Sequence, residues 1–242
     1  MLMNCEVTWR NLVLLMLLPI LVGSCSSSTP EIMDPEEIVL RSVERMKLLS
    51  GFHFLIDRSG APAFLNVEQS LSFRRAEGDF VAPDRAQATI RVIGPGFVAE
   101  VQIVSIGEIQ WETNFLTGEW QKLPPEWGFN PAALFDPEVG IQPILEEDLN
   151  ELEFAGMEEL EEVPGESLYA LVGEIDGRRL NQLSLGMIGP ETMTVKLWIA
   201  PATFELYRLQ ITEAPTSGDE STVWTVDFWD YDHIVDIIPP DT

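Results

Sequence analysis

Apolar side chains alternate with other side chains at a period of two residues through most of this chain. The clearest runs are 52–57, 97–104 and 109–115. Successive side chains of a β-strand point to opposite faces of a sheet, so these runs predict antiparallel strands. Similar segments bring the predicted total to about ten strands, and they lie near 69–75, 86–93, 152–158, 168–175, 193–199, 204–212 and 222–231.

Helical patterns interrupt this alternation. Asp34 and Pro35 are a typical N-cap and first helical residue, Glu37 can complete a capping box, and Gly51 is placed to end the helix. The apolar stripe of this helix consists of Ile38, Val39, Val43, Met46 and Leu49. Cap residues followed by proline favour short helices at 130–135 and 136–145, and another is expected at 178–185. This order of elements predicts one α+β domain in which helices cover one face of an antiparallel sheet.

Several predicted strands carry large apolar side chains on both faces. In the segment 192–199, Trp198 lies opposite a row formed by Met193, Val195, Leu197 and Ile199. A sheet packed on one side only should show polar residues on its second face. Two interpretations stay open. One is a two-layer core with scattered exposed aromatic residues, and the other is a curved sheet with helices around an apolar cavity.

The amino terminus has the features of an export signal. An apolar run at 12–22 is too short to cross a membrane and is typical of a signal peptide. It ends in the letters VGSC at 22–25, which look like a bacterial lipobox, in which the cysteine is acylated and becomes the new N-terminus. The alternative is an ordinary secretory signal with a chance cysteine.

The lipobox divides the chain into three parts. We expect residues 1–24 to be a lipoprotein signal peptide and residues 25–33 to be a lipidated N-terminus and tether, with Cys25 as the acylated residue. The folded domain would then occupy residues 34–242. The segment 26–33 reaches at most about 30 Å when extended, so the domain is expected close to the bilayer.

The charge of the chain is strongly negative. It carries 14 basic and 40 acidic side chains, for a net charge of −26. All of this imbalance lies beyond residue 24, because the first 24 residues contain one arginine and one glutamate. Such a charge repels phosphate backbones and anionic membrane surfaces, so we exclude nucleic-acid binding. Membrane attachment would have to come from acyl chains.

Enzyme signatures are scarce. His53 and His233 lie far apart, neither stands in a metal-binding or triad motif, and no glycine-rich phosphate loop occurs. Once the leader is removed, Cys25 is the one remaining thiol. The acidic runs lack EF-hand spacing and are expected to be solvated. We expect no catalytic residue, no metal and no cofactor, but a pair of carboxylates of the glycoside-hydrolase type stays open because any acidic β protein offers such pairs.

Four segments beyond residue 34 occur in a recognisable series. They are the first helix running into SGFHF at 50–54, EGDFVAPDRA at 77–86, FNPAALFDP at 129–137, and VKLWIA at 195–200 followed by LYRL at 206–209. Together with the lipobox, this series resembles the LppX-LprAFG lipoproteins, exported lipid-binding proteins related in fold to the LolA and LolB lipoprotein carriers. The resemblance implies a strongly curved antiparallel half-barrel with helices on its concave face, enclosing a cavity for the acyl chains of large lipids.

The main hypothesis is therefore a lipid or glycolipid carrier. Residues and resemblance together suggest a monomeric lipoprotein, anchored in the cell membrane on its extracytoplasmic face, that takes acyl chains into an apolar cavity and transfers lipid outward. The candidate cavity residues are Phe54, Ile90, Val101, Ile103, Trp111, Val195, Leu197 and Phe228, and ordinary core packing is the alternative for each. The rival hypotheses are a surface-displayed interaction or scaffolding lipoprotein without a lipid ligand, and an exported hydrolase that uses carboxylates.

Overall fold

The computed structural model describes residues 33–65, 68–123, 130–215 and 220–241. It begins with helix α1 (Pro35–Leu48). Asp34 caps α1, since its carboxylate accepts a hydrogen bond from the backbone N–H of Glu36 at 3.0 Å. The predicted apolar stripe is buried. The helix ends earlier than expected, because the N–H of Leu49 closes the last turn on the carbonyl of Met46, and Gly51 instead begins the first strand.

The described residues form twelve strands of a single antiparallel sheet. The strands are β1 (Gly51–Ser59), β2 (Ala63–Phe64), β3 (Ser72–Val81), β4 (Arg85–Gly94), β5 (Phe97–Ile106), β6 (Ile109–Thr113), β7 (Trp120–Leu123), β8 (Leu149–Glu158), β9 (Leu168–Asp176), β10 (Thr192–Ile199), β11 (Leu206–Glu213) and β12 (Thr222–Trp229). The strand order is β7-β6-β5-β4-β3-β1-β12-β11-β10-β9-β8, and β2 pairs with β3. Within the described ranges the sheet is not closed, because β7 and β8 form its two ends. The predicted antiparallel sheet is confirmed, and β2 and β7 are strands too short for alternation to reveal.

Short helices follow the first run of strands. A 3-10 helix, Pro131–Phe135, begins after Asn130, whose side chain accepts a hydrogen bond from the N–H of Ala132. Helix α2 (Ile141–Glu147) starts later than expected. Asp136 does not cap it, because its carboxylate instead accepts hydrogen bonds from the backbone N–H groups of the following turn. Helix α3 (Gly177–Leu183) lies close to its predicted position.

The helices and one face of the sheet share a single large core. Side chains of all three α-helices and of the 3-10 helix pack in one cluster with strand residues such as Phe52, Phe54 and Leu197. Two smaller clusters lie apart from this core. One is built around Trp198 and Leu168, and the other around Trp111 and Ile237. Residues 33–242 form one compact unit by their internal contacts, so we expect this part of the chain to fold as a unit.

Candidate functional site: an apolar cavity

A cavity of about 380 Å³ lies against the face of the sheet that carries the large core. Its wall contains a row of apolar residues that are paired in register across six neighbouring strands. This apolar row consists of Leu209, Val226, Ile56, Ala76, Ile90 and Val101, all of which line the cavity. Side chains directly opposite each other on an antiparallel pair lie on one face, so pairing alone places the whole row on the cavity side.

Phe135 of the 3-10 helix separates the cavity from the packed part of the core. Its ring lies 4.9 Å from the rings of Phe52 and Phe54, 5.3 Å from Phe80 and 6.1 Å from Phe228, measured between centroids. Most of these rings meet edge to face, which is a favourable arrangement for aromatic pairs. Phe135 also lines the cavity. One side of this ring therefore completes the core and the other forms part of the cavity wall.

Helix α3 and the segment 184–190 form another wall of the cavity. Leu180, Leu183, Leu185, Met187 and Ile188 line the cavity from this side. Hydrogen bonds hold the segment in place: the amide of Asn181 donates to the carbonyl of Ile188 at 2.7 Å, and the hydroxyl of Ser184 accepts from the N–H of Ile188 at 3.0 Å.

Glu213 ties this wall to the sheet. Its carboxylate accepts one hydrogen bond from the N–H of Gly189 at 2.8 Å and one from the indole of Trp224 at 2.6 Å. Trp224 itself lines the cavity and stacks on Phe73, with ring centroids 5.5 Å apart. The α3 wall and the β11–β12 wall are thus linked through the partly buried carboxylate of Glu213.

Arg58 fixes the segment that follows β1. It is buried, and burial lowers the pKa of its guanidinium from the ordinary value. The guanidinium donates to the carbonyls of Phe73, Gly60 and Ala61. These bonds hold the turn after β1 against β3, and the following residues Phe64 and Leu65 line the cavity.

Polar side chains contribute little to the cavity wall. Glu112 and Ser184 are the two polar side chains among its lining residues in the described part of the chain. The carboxylate of Glu112 accepts a hydrogen bond from the amide of Gln121 at 2.8 Å, and the hydroxyl of Ser184 is engaged by backbone groups. A cavity with one carboxylate and an otherwise apolar wall suits a hydrocarbon ligand.

The structure places the eight predicted cavity residues in three different environments. Ile90, Val101, Ile103 and Phe228 line the cavity. Phe54, Val195 and Leu197 belong to the same core but are fully buried in its packed part.

Trp111 lies on the opposite face of the sheet. The β5–β6 register pairs Ile103 with Glu112 and Val104 with Trp111. Because Ile103 lines the cavity, the side chain of its partner Glu112 also lies on the cavity face. The indole of Trp111 packs instead with Val104 and Ile237. Apolar residues occupy both faces here, so alternation could not identify the face that turns inward.

Several lining residues were not predicted from the sequence. Strand residues such as Ile56, Val92, Leu209 and Trp224 follow the same alternation as the predicted ones and could have been found by it. The segment 183–190 has no helical or strand period. Its signal is a run of apolar and small residues without any charge.

A second, polar groove of about 470 Å³ lies on the other face of the sheet. There His53 Nδ1 lies 2.7 Å from Asp79 Oδ1, and Gln87 donates to the second oxygen of Asp79 at 2.9 Å. Glu77 lies 3.6 Å from His53 Nε2, and the hydrogen bond from Arg75 lowers the pKa of Glu77. The lowered pKa keeps Glu77 ionised at neutral pH, which does not suit a general acid.

The export signal and the lipid anchor that the sequence predicts lie outside the described residues. They are the predicted signal peptide 1–24, the predicted acylation site Cys25 and the predicted tether up to residue 32. Within the described ranges, no helix has the length and apolar character needed to cross a membrane. Within the same ranges, no three His, Cys, Asp or Glu side chains are grouped so that they could hold a metal ion.

Comparisons with known proteins agree with this architecture. The crystal structure of LprF from Mycobacterium bovis superposes with a TM-score of 0.64 at 16% identity, covering 86% of this chain and 97% of that one. Lipoprotein LppX from Mycobacterium tuberculosis superposes with a TM-score of 0.57 at 19% identity, covering 85% of this chain and all of the other. At these identities, the likeness establishes the fold.

The family assignment comes from sequence. No curated protein sequence matches the chain. The sequence model of the LppX_LprAFG lipoproteins, however, matches residues 34–237. This match includes all the described strands and helices and nearly the whole folded unit. The chain therefore belongs to the LppX_LprAFG lipoprotein family.

Proposed function

We propose that this protein is a membrane-anchored, exported lipoprotein that binds the acyl chains of a lipid or glycolipid and carries the lipid away from the cytoplasmic membrane. The observation that carries this proposal is the apolar row across six strands, which faces an unfilled cavity of about 380 Å³. This volume falls within the range of about 300–1,000 Å³ that is typical of small-molecule sites.

We infer that the sheet curves around this cavity as a half-barrel. Neighbouring strands lie about 4.8 Å apart, so a flat sheet would separate the two ends of the apolar row by about 24 Å. Leu209 and Val101, at the two ends of this row, nevertheless line the same cavity, together with residues of α3 and the 3-10 helix. Open sheets of more than about ten strands also tend to curl. Curvature with the helices on the concave side accounts for both observations.

The energetics suit a carrier. Burying a methylene group contributes about 0.8 kcal/mol, so a fully buried chain of about 16 carbons gains roughly 13 kcal/mol. The bilayer that the chain leaves provides a comparable gain. Transfer between the two is then close to thermoneutral, and the protein can both load and release its ligand.

Catalysis is not part of this proposal. A carboxylate-dependent hydrolase needs two carboxyl groups that face one substrate. Among the described residues that line the apolar cavity, Glu112 is the one carboxylate, and it accepts a hydrogen bond from Gln121. The alternative of an interaction lipoprotein without a ligand expects side chains to fill the core, and the open volume beside Phe135 favours ligand binding over that alternative.

The anchor is also part of the proposal. Acylation of Cys25 would hold the domain near the bilayer despite the net charge of −26. In the full chain, Cys25→Ala should move the protein from the membrane fraction to the soluble fraction. Tight membrane retention of this variant after washing would contradict acylation at this site.

A transfer assay tests the carrier activity. Residues 33–242 should accelerate movement of a fluorescent phospholipid or glycolipid from donor to acceptor vesicles, in proportion to protein concentration. The control is the same fragment preloaded with an excess of unlabelled lipid, which should slow the labelled transfer. A transfer rate equal to the spontaneous rate for both lipid classes would contradict the proposal.

A further inference from the structure

In the described part of the chain, five apolar side chains both line the cavity and are exposed to solvent. This group, the rim, consists of Phe64, Leu65, Phe97, Phe115 and Leu185. Phe97 and Phe115 stack with ring centroids 6.1 Å apart and nearly parallel planes. Scattered apolar residues on a surface need no explanation, but a contiguous exposed group around a cavity usually marks an interaction site. The rim is continuous with the proposed lipid site, since its side chains belong to both surfaces.

The chain segments that carry the rim are free of charge. They are residues 59–65, 92–99, 113–118 and 183–190, which contain no Asp, Glu, Lys or Arg. Charged residues make up 22% of the whole chain, so several would be expected in stretches of this combined length. In a protein with a net charge of −26, the rim side chains therefore lie on uncharged segments, and Glu112 is the one charged side chain among the described residues that line the cavity.

Leu185 shows the arrangement most clearly. It is 70% exposed, and its backbone has a positive φ of 54°, a conformation that non-glycine residues rarely adopt. Asn and Asp tolerate this conformation better than leucine does. Neither water exposure nor backbone geometry favours leucine at this position, so its apolar side chain requires another reason.

We propose that the rim docks onto the surface of a lipid bilayer and inserts its apolar side chains among the lipids, so that the cavity opens directly to the membrane. This proposal rests on the proposed lipid-binding function. An acidic protein gains nothing from electrostatic attraction to anionic lipid, so docking must rely on apolar insertion. The uncharged segments remove the desolvation cost that charged side chains would impose at that interface. An acyl chain passing from bilayer to cavity then crosses no water.

A vesicle-binding experiment with matched variants tests the proposal. Residues 33–242 without an acyl anchor are mixed with phosphatidylcholine vesicles, with or without phosphatidylglycerol, and bound protein is measured by flotation. Leu185→Asp removes one rim side chain at a position where aspartate fits the backbone. Leu48→Asp is the control, because Leu48 is 76% exposed at the end of α1 and does not line the cavity.

The expected loss of vesicle affinity for Leu185→Asp is about tenfold or more, as for withdrawal of one buried leucine from an apolar environment. Leu48→Asp should bind as the unchanged fragment does. Binding should be weaker on vesicles with phosphatidylglycerol and should not fall as salt is raised. Equal affinities for both variants would overturn the proposal, as would a salt-sensitive binding or a rim-dependent dimer of the fragment in solution.

Uptake of a fluorescent long-chain fatty acid from solution separates this proposal from the function it rests on. The unchanged fragment and Leu48→Asp should take up the fatty acid with affinities within about twofold of each other, because Leu48 does not line the cavity. If the fragment takes up the fatty acid but Leu185→Asp leaves vesicle binding unchanged, docking is refuted and lipid binding is not. Absence of uptake by every fragment refutes lipid binding itself.

Discussion

Two regions on the same face of the sheet are built from similar side chains but differ in how they are covered. At one end, Phe52 and Phe54 are fully buried beneath the ring of Phe135. At the other end, Ile90 and Val101 face a cavity. Here we call these regions the packed end and the cavity end.

The difference between the two ends arises from the covering elements. The aromatic side chain of a short 3-10 helix fills the packed end, whereas α3 and its following loop stand around the cavity end without filling it. Apolar alternation thus shows which face of a strand is inward. Whether that face is filled depends on one or two residues of the elements above it.

The largest expected effect is a difference in the free energy of unfolding between variants at the packed end and variants at the cavity end. Phe54→Ala at the packed end should lower the free energy of unfolding by about 3–5 kcal/mol, because it leaves a cavity among rings that cannot collapse. Phe97→Ala at the cavity end should cost less than about 1 kcal/mol, because Phe97 is already 40% exposed. Urea unfolding of both variants measures the two values, and equal costs would contradict the distinction.

Removing the buried guanidinium of Arg58 at the cavity end should give the next largest loss of stability. Arg58→Met should lower the free energy of unfolding by about 2 kcal/mol, because the carbonyls of Phe73, Gly60 and Ala61 lose their donor. Arg91→Met is the matched control. It removes only an exposed pair with Glu100 and should cost less than about 0.5 kcal/mol in the same urea experiment.

A larger side chain that fills the cavity should weaken ligand binding while the free energy of unfolding changes little. Ala76 lies in the apolar row, so Ala76→Phe should occupy the cavity and weaken fatty-acid binding by about tenfold, or 1.4 kcal/mol. Its free energy of unfolding should change by less than about 1 kcal/mol.

Ala86 is the counterpart of Ala76 outside the cavity. It is fully buried and does not line the cavity, so Ala86→Phe should instead destabilise the fold by about 1–3 kcal/mol through overpacking. Fluorescence titration and urea unfolding measure the two properties. Unchanged fatty-acid binding by Ala76→Phe would place the ligand elsewhere.

The smallest expected effect is a dependence on pH. Glu158 accepts hydrogen bonds from Lys196 and Trp198, each at 2.8 Å, and chiefly the bond from Lys196 lowers the pKa of this carboxyl below its ordinary 4.5. The resulting stability is fully present above pH 4.5 and is lost as the pH falls through the lower pKa of the folded state. The side chain is partly exposed, so the loss should stay below about 1 kcal/mol. Urea unfolding at pH 7 and pH 3 should show a smaller difference for Glu158→Gln than for the unchanged fragment.

The sequence patterns predicted much of this fold. Asp34 and Pro35 located the first helix, and alternation located the long strands and the inward face of Ile90 and Val101, because local backbone geometry determines these features. The face of Trp111 depends on the pairing register between β5 and β6, which places Ile103 opposite Glu112. A shift of one residue in that register would have reversed the result.

The site was less predictable than the fold for a physical reason. Val195 and Leu197 show the same alternation as Val101 and pair with the lining residues Ile211 and Leu209. They are nevertheless fully buried and do not line the cavity, because filling depends on contacts between distant segments. Leu185 and Met187 lie in a loop, where no period distinguishes a cavity wall from solvent. Their one visible signal is the absence of charge across 183–190 in an acidic chain.

Native mass spectrometry of the folded domain tests directly whether the cavity holds a lipid. Residues 33–242 are produced in a lipid-containing host, purified without detergent and measured together with Ala76→Phe. The unchanged fragment should carry additional mass corresponding to one lipid, and Ala76→Phe should carry much less. A fragment that is free of lipid, and stays free after incubation with phospholipid and glycolipid vesicles, would show that the cavity is not a lipid site.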